Sequence, residues 1–260
     1  MCKVISVCNQ KGGVGKTTTA VNLGIGLVRE GYRVLLIDAD PQGDLTTSLG
    51  WRNNDELTNT LSDIISDQIK DTDRKIEGIL HHAEGVDLIP GNIELAALEM
   101  TLVTAMNREC LMQYSIEPLK ENYDYIIIDC MPSLGMLTLN ALTASDSVII
   151  PVQAQYLPAK GMTQLLQTVM RVKKHLNRKL TIDGILLTLV NSRTTLAKTT
   201  EEVIRTNFGE HIRVFDSKIP LSVKSAETSS KGKSIYAYDP KCAAAAAYTT
   251  FVKEVLDIER

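Results

Sequence analysis

A chain of 260 residues, 44% hydrophobic and 23% charged, is ordinary for a globular protein and long enough to bury a sizeable core. No run approaches the roughly 20 apolar residues of a membrane span. The opening MCKVISVCNQKGG, with one early lysine and a short apolar stretch, does not read as a secretory signal, so a cytoplasmic protein is expected. The net charge of −3 excludes a uniformly basic protein but hides a split: residues 1–159 carry 11 Lys/Arg against 21 Asp/Glu, and residues 160–241 carry 15 against 7. Such asymmetry fits either an anionic partner for one face or solvated helix surface.

The first predicted element is the β-branched run KVISVC (3–8), followed by a glycine-rich turn and a helical stretch over 17–30 that Gly31 should stop. A second buried strand follows at RVLLID (33–38). Further short apolar runs lie at 86–90, 125–129, 147–152 and 182–190, separated mostly by helical patterns. The Ala-rich segment 242–258 reads as a closing helix. Continuous apolar strands alternating with helices predict an α/β fold, a doubly wound and mostly parallel sheet covered on both faces, with ligands at the carboxyl ends of its strands. No linker, low-complexity run or repeat divides the chain, so 1–260 is read as one domain. The five cysteines (Cys2, Cys8, Cys110, Cys130, Cys242) are odd in number and form no Cys-x-x-Cys pair, and with the four histidines they complete no zinc pattern. Reduced, buried thiols are expected.

The segment between the first strand and first helix carries the chemistry. It reads Lys11-Gly12-Gly13-Val14-Gly15-Lys16-Thr17-Thr18, a phosphate loop in a strand–turn–helix context. The standard G-x-x-x-x-G-K-[ST] pattern needs glycine where Gln10 stands, so this is the deviant form with an additional leading lysine. Glycines let consecutive N–H groups turn toward phosphate oxygens, and the helix N-terminus adds donors and dipole. Lys16 is expected to meet the β- and γ-phosphates of ATP, Thr17 to ligate Mg²⁺, and Thr18 to bond the α-phosphate. Asp129, at the end of YDYIIID, fits an acidic Mg²⁺ partner acting through water. Asp38 and Asp40 end the second strand, two residues apart and so on one side. Asp40 suits the orientation or deprotonation of an attacking water, and Asp38 the support of Mg²⁺ or of the loop.

Taken together, CNQKGGVGKTTTAVNLG (8–24), VLLIDADPQGDLTTSLG (34–50), the long run 123–153 and YDPKCAAAAAY (238–248) resemble the ParA/MinD superfamily of deviant Walker-A ATPases, and within it the short ParA/Soj branch. The resemblance implies a slow, partner-stimulated ATPase. Lys11 would reach the nucleotide of a second protomer, so that ATP bridges a homodimer. That dimer would bind double-stranded DNA without sequence preference on the nucleoid. A ParB/Spo0J-like protein with a basic N-terminal tail would stimulate hydrolysis, and the cycle would partition chromosome or plasmid. It further implies DNA contacts by Arg193 and Lys224, and adenine recognition near Asn191 and Pro220, although Asn191 fits a turn or cap as well. Three departures stand out. Leu221-Ser222-Val223-Lys224 replaces the usual Arg-Asn-Val-Arg, which shifts weight to other cations such as Lys173, Lys174, Arg178 or Lys179, themselves readable as a solvated helix end. Asp44 stands where Asn is usual. The chain opens almost at its first strand, so the N-terminal helix-turn-helix of larger ParA proteins, and operator-specific repression, are not expected.

Rival readings fit less well. A MinD-like membrane-cycling ATPase needs a basic amphipathic C-terminal helix, whereas FVKEVLDIER places Glu254, Asp257 and Glu259 against Lys253 and Arg260. An iron–sulfur carrier needs bridging cysteines in their own motifs, and a tyrosine-kinase relative needs a clustered tyrosine tail. A ParA-like ATPase that positions a non-DNA cargo would share every motif above.

Overall fold

The computed structural model describes residues 2–72, 76, 78–154 and 159–258. Glu259 and Arg260 of the closing segment lie outside the described residues. The first half runs β1 (Lys3–Val7), α1 (Lys16–Arg29), β2 (Val34–Ala39), a short α2 (Asp44–Ser48), α3 (Leu61–Ile69), β3 (Leu80–His81), β4 (Asp87–Ile89), α4 (Glu94–Leu102) and α5 (Leu111–Ile116). The second half runs β5 (Tyr125–Cys130), α6 (Met136–Ala144), β6 (Ser147–Gln153), α7 (Ala159–His175), β7 (Thr181–Val190), α8 (Thr195–Phe208), β8 (Val214–Pro220), α9 (Val223–Lys231), α10 (Ile235–Tyr238) and α11 (Ala243–Asp257).

The strands form one eight-stranded sheet in the order β3-β4-β2-β5-β1-β6-β7-β8. Only the edge pair β3–β4 is antiparallel; the other neighbours run parallel. The apolar runs are continuous because each strand feeds two cores. In β5, Ile126 and Ile128 join the cluster under α3–α7, while Tyr125 and Ile127 join the cluster under α1 and α11. β8 differs: its exposure alternates along the strand, as a sheet edge allows.

Helix α1 begins behind Gly15 and stops at Glu30, with Gly31 in the left-handed conformation (φ 95°) turning the chain toward β2. Helix α11 buries Tyr248, Phe251, Val252 and Val255, and Phe251 meets Phe215 of β8 edge-to-face at 4.9 Å. Each such side chain contributes roughly 1.5–3 kcal/mol. The closing helix thus spends its apolar face on the sheet. No described helix is long and apolar enough to cross a membrane. All five thiols are free; Cys8 and Cys130 are buried, whereas Cys2, Cys110 and Cys242 are half-buried rather than buried. Burial pushes the Cys130 thiol well up, so it stays protonated and inert.

The order places β1 at the point where the chain switches direction across the sheet. The turns after β1, β2, β5, β7 and β8 therefore converge at one carboxyl edge, where a doubly wound sheet binds its ligand.

Candidate functional site

A cleft of about 430 Å³ opens at that edge, lined by Gly12, Gly13 and residues 15–18 of the loop, Asp40, Gln42, Asp44, Pro132, Thr188–Leu189, residues 219–222, Ser225–Ala226 and Tyr248. Its floor is the turn between β1 and α1. Asn9 pins the start of the turn: its Nδ2 donates to Pro151 O (2.6 Å) and its Oδ1 accepts from Lys11 N (3.0 Å). Thr188 of β7 pins the middle, donating from Oγ1 to Val14 O (2.7 Å). Gly13 and Gly15 take φ of 69° and 82°, a left-handed backbone that a side chain would strain. Gly15 is also the N-cap of α1 and offers no capping oxygen, so the first-turn N–H groups of a 14-residue helix are left for a ligand. Lys16 is 7% exposed and sits inside the cleft, where its Nζ donates to Lys11 O at 3.4 Å.

The acidic residues meet at this floor. Asp129 pairs in register with Asp38 across β2 and β5 and with Val7 across β1. It is 1% exposed, and both of its carboxylate oxygens are buried without a hydrogen-bond partner. Burial raises its pKa well above the carboxylate range, and the Asp38 charge raises it further. The Thr17 hydroxyl and Lys16 offset part of this; Thr17 stands beside the carboxylate without completing a bond of ordinary geometry. Two orphaned carboxylate oxygens next to a threonine hydroxyl are the oxygen set that Mg²⁺ satisfies. Asp129→Asn removes a buried carboxyl whose raised pKa costs the fold stability at any pH above the ordinary carboxylate range. It is therefore expected to raise the thermal midpoint of the nucleotide-free protein by several degrees and to abolish stabilisation by Mg²⁺ with nucleotide, both read from melts with and without the metal.

Asp38 behaves differently. It is fully buried and takes no part in the cleft lining; its Oδ2 accepts from Thr46 N (2.8 Å) and Thr46 Oγ1 (2.7 Å), and its Oδ1 from Asp40 N (3.3 Å). Burial pushes it up to about 6 against those hydrogen bonds. Its geometry fixes the turn that carries Asp40 and α2. Asp40 does line the cleft, with Oδ1 accepting from Gln42 N (3.0 Å). Asp44 opens α2 on the same wall; burial and the nearby Asp40 raise its pKa, and Lys16 lowers it. The unusual aspartate thus adds negative charge beside both the lysine and the acidic residue suited to activating water.

The opposite wall comes from β7, β8 and α9. Pro220 lines it. Asn191 does not: its Oδ1 accepts from Arg193 N (3.2 Å) and its backbone oxygen from Thr194, which makes it the pivot of the turn into α8. Arg193 is exposed on that turn. Lys224 is exposed on the first turn of α9 and ion-pairs with Asp239. Several wall residues escaped the sequence reading: Thr188, Leu189 in a left-handed conformation (φ 51°), Ser222 and Ser225, whose buried Oγ has no partner. Thr46, the clamp on Asp38, escaped it too. Lys173, Lys174, Arg178 and Lys179 lie at the amino end of β7, about 30 Å from its carboxyl end for a ten-residue strand. They share no edge with Arg193 and Lys224.

Comparison with known proteins places this geometry among relatives. A family model described as an AAA domain matches residues 2–182. Over 257 residues the chain is 47% identical to the sporulation initiation inhibitor protein Soj of Bacillus subtilis, covering 98% of each chain. It is 40% identical over 260 residues to the chromosome partitioning protein ParA of Caulobacter vibrioides, covering 99% of this chain and 95% of that one. Among solved structures it superposes, with a TM-score of 0.85 and 36% identity, on cobyrinic acid a,c-diamide synthase from Mycobacterium smegmatis with bound ADP and magnesium, covering 98% of this chain and 94% of that one.

Proposed function

The chain belongs to the ParA/Soj-like branch of the ParA/MinD superfamily, and from that membership we propose that it is an ATP- and Mg²⁺-dependent dimerising ATPase that binds duplex DNA without sequence preference and partitions chromosome or plasmid with a ParB-like partner. One observation carries the chemistry: a left-handed glycine turn runs into buried Lys16, whose charge acts on Asp129 and its two orphaned oxygens. The N–H groups of the turn and Lys16 would hold the β- and γ-phosphates, and Thr18 the α-phosphate. Thr17 and Asp129 would hold Mg²⁺, which when bound neutralises phosphate charge and orients the transferred group. Asp38 acts on the site through Thr46 and the turn, and Asp40 positions or deprotonates the attacking water. Lys11 is exposed at the mouth, its Nζ donating to Gln153 Oε1 (3.1 Å), where a partner's nucleotide can draw it across. Pro220 packs at the base end, and Asn191 retains an amide nitrogen as donor toward adenine. We read residues 1–260 as one catalytic domain at work in the cytoplasm on the nucleoid, with no membrane step.

DNA contact is assigned to Arg193 and Lys224 at the carboxyl edge. Asp239 already engages the Lys224 ammonium, so Arg193 is the stronger contact. The ATP-bound dimer is expected to bind random-sequence duplex at low salt and the ADP-bound monomer to release it. Each neutralised phosphate should add about −0.9 to the log–log salt slope, and dimerisation doubles every contact. Changing Arg193→Glu together with Lys224→Glu should cost at least about tenfold in affinity while ATP-driven dimerisation persists. A hydrolysis-blocked dimer that ignores DNA even at low salt would leave a non-DNA cargo as the reading to pursue.

A further inference from the structure

The amino edge of the sheet holds a second cavity, far from the nucleotide. Between α7, the start of β7 and the end of α8 lies a groove of about 480 Å³ walled by Leu166, Val169, Met170, Ile182, Phe208 and Ile212. Lys173 and His211 stand among these apolar walls. Met170 is 60% exposed, although Leu165, Val169 and Val172 on the same helix are buried. A recessed apolar surface left open to water marks a contact site.

Charge decides what fits. Helix α7 closes on Lys173, Lys174 and His175, and Arg178 and Lys179 follow before β7. Nearby acidic groups are largely spoken for: Glu201 of α8 is paired with Arg205 and Lys218, and Asp183 of β7 with Lys3. Glu210, beside His211, is outnumbered by this cluster. The rim is cationic and the floor apolar. We propose that this groove is the docking site for an acidic amphipathic helix of a partner protein, which inserts two or three apolar side chains between α7 and α8 and sets carboxylates over Lys173, Lys174 and Lys179. A lipid surface fits less well, because the apolar side chains line a hollow rather than a protruding ridge. Duplex DNA has phosphates for the rim but nothing for the floor. A basic tail, the kind expected of the stimulating partner, would be repelled. The site therefore belongs to a different partner, and it lies about 30 Å from the cleft edge, the length of β7. The inference stands apart from the DNA reading and does not depend on it.

The test uses the full chain and a labelled synthetic helix of roughly 18 residues, with Leu at helical spacing on one face and Glu on the other. A version with Lys replacing Glu, vesicles rich in phosphatidylglycerol, and unlabelled duplex DNA are the comparisons. The acidic helix should bind with a Kd in the range of about 1–100 µM, and Met170→Glu or Lys173→Glu should weaken it at least about tenfold. Hydrogen exchange should slow at residues 166–182 and 207–212. Both variants should dimerise with ATP like the parent, and Lys173→Glu, on the rim, keeps the test open if Met170→Glu misfolds. Equal binding of the basic helix, competition by DNA, binding of vesicles but not of the acidic helix, no binding at about 1 mM, or affinities unmoved by the variants would each overturn the proposal.

Discussion

Lys16→Ala is expected to lower ATP affinity by roughly two to three orders of magnitude, about 3–4 kcal/mol, the range found when a charge-stabilising group is deleted from a desolvated phosphate site. The size follows from where the lysine sits. Its side chain is 7% exposed, so its charge acts in a poorly screened cleft, and its long 3.4 Å contact with Lys11 O gives up little when a phosphate arrives. The glycine turn and the α1 N-terminus remain in the variant, so residual binding should come from backbone donors alone. Lys16 also draws down the pKa of Asp129, so its loss leaves that carboxylate further from the ionised form that Mg²⁺ needs. The variant should therefore lose its Mg²⁺ dependence together with its affinity. Calorimetry with ATP, with and without Mg²⁺, reads both effects. Undiminished affinity would refute the phosphate-site assignment, and an unchanged thermal midpoint of the nucleotide-free variant would show that folding is not the cause.

That so much of the site could be read in advance has a physical reason. Strands buried on both faces leave continuous apolar runs: β1 and β4 fall within the predicted segments, and β2, β5, β6 and β7 each run a single residue past theirs. The loop 11–18 and Asp129 are legible because a phosphate turn and its acidic strand end are local patterns. β8 was missed because its alternating edge pattern, VFDSKIP, resembles an amphipathic loop, and β3 because two residues carry no period. The walls of the cleft were hidden for a different reason. Thr188, Leu189, Ser222, Ser225 and Tyr248 all lie at least 170 residues beyond the loop in the chain, and only the sheet order brings them to it. Asp38 shows the limit of strand alternation. Alternation placed it on the same side as Asp40, but Thr46, eight residues on, takes up its Oδ2, and nothing in the strand signals that. Asn191 likewise has the donor and acceptor that suit adenine, yet its oxygen is taken up by the turn into α8.

Substitutions at two positions, Asp40 in the cleft and Lys11 beside it, should separate hydrolysis from assembly. Asp40→Ala is expected to bind ATP and dimerise while its turnover falls by about 10²- to 10⁴-fold, the usual worth of a positioned general base. Alanine also removes the bond to Gln42 N, a loss of about 1 kcal/mol to the turn, so Asp40→Asn is the sharper form: it keeps an acceptor oxygen but not a base. Both variants should accumulate as ATP-bound dimers. Lys11→Ala should do the reverse. Its side chain is exposed at the mouth and bonds Gln153 there, so truncation disturbs little of the fold, and ATP should still enter the cleft of the single protomer. What it removes is a cation reaching a second protomer's phosphates, a charge pair desolvated only in the dimer, and the dimer should weaken by at least about tenfold. Light scattering with ATP and with ADP measures the assembly, and phosphate release measures the turnover. If Lys11→Ala dimerises like the parent while Lys16→Ala still fails to bind ATP, the phosphate site stands and the bridging role of Lys11 falls. Should Asp40→Asn turn over normally, the water-activating role passes to another group on the same wall, and Asp44, whose pKa burial has already raised, is the first to replace.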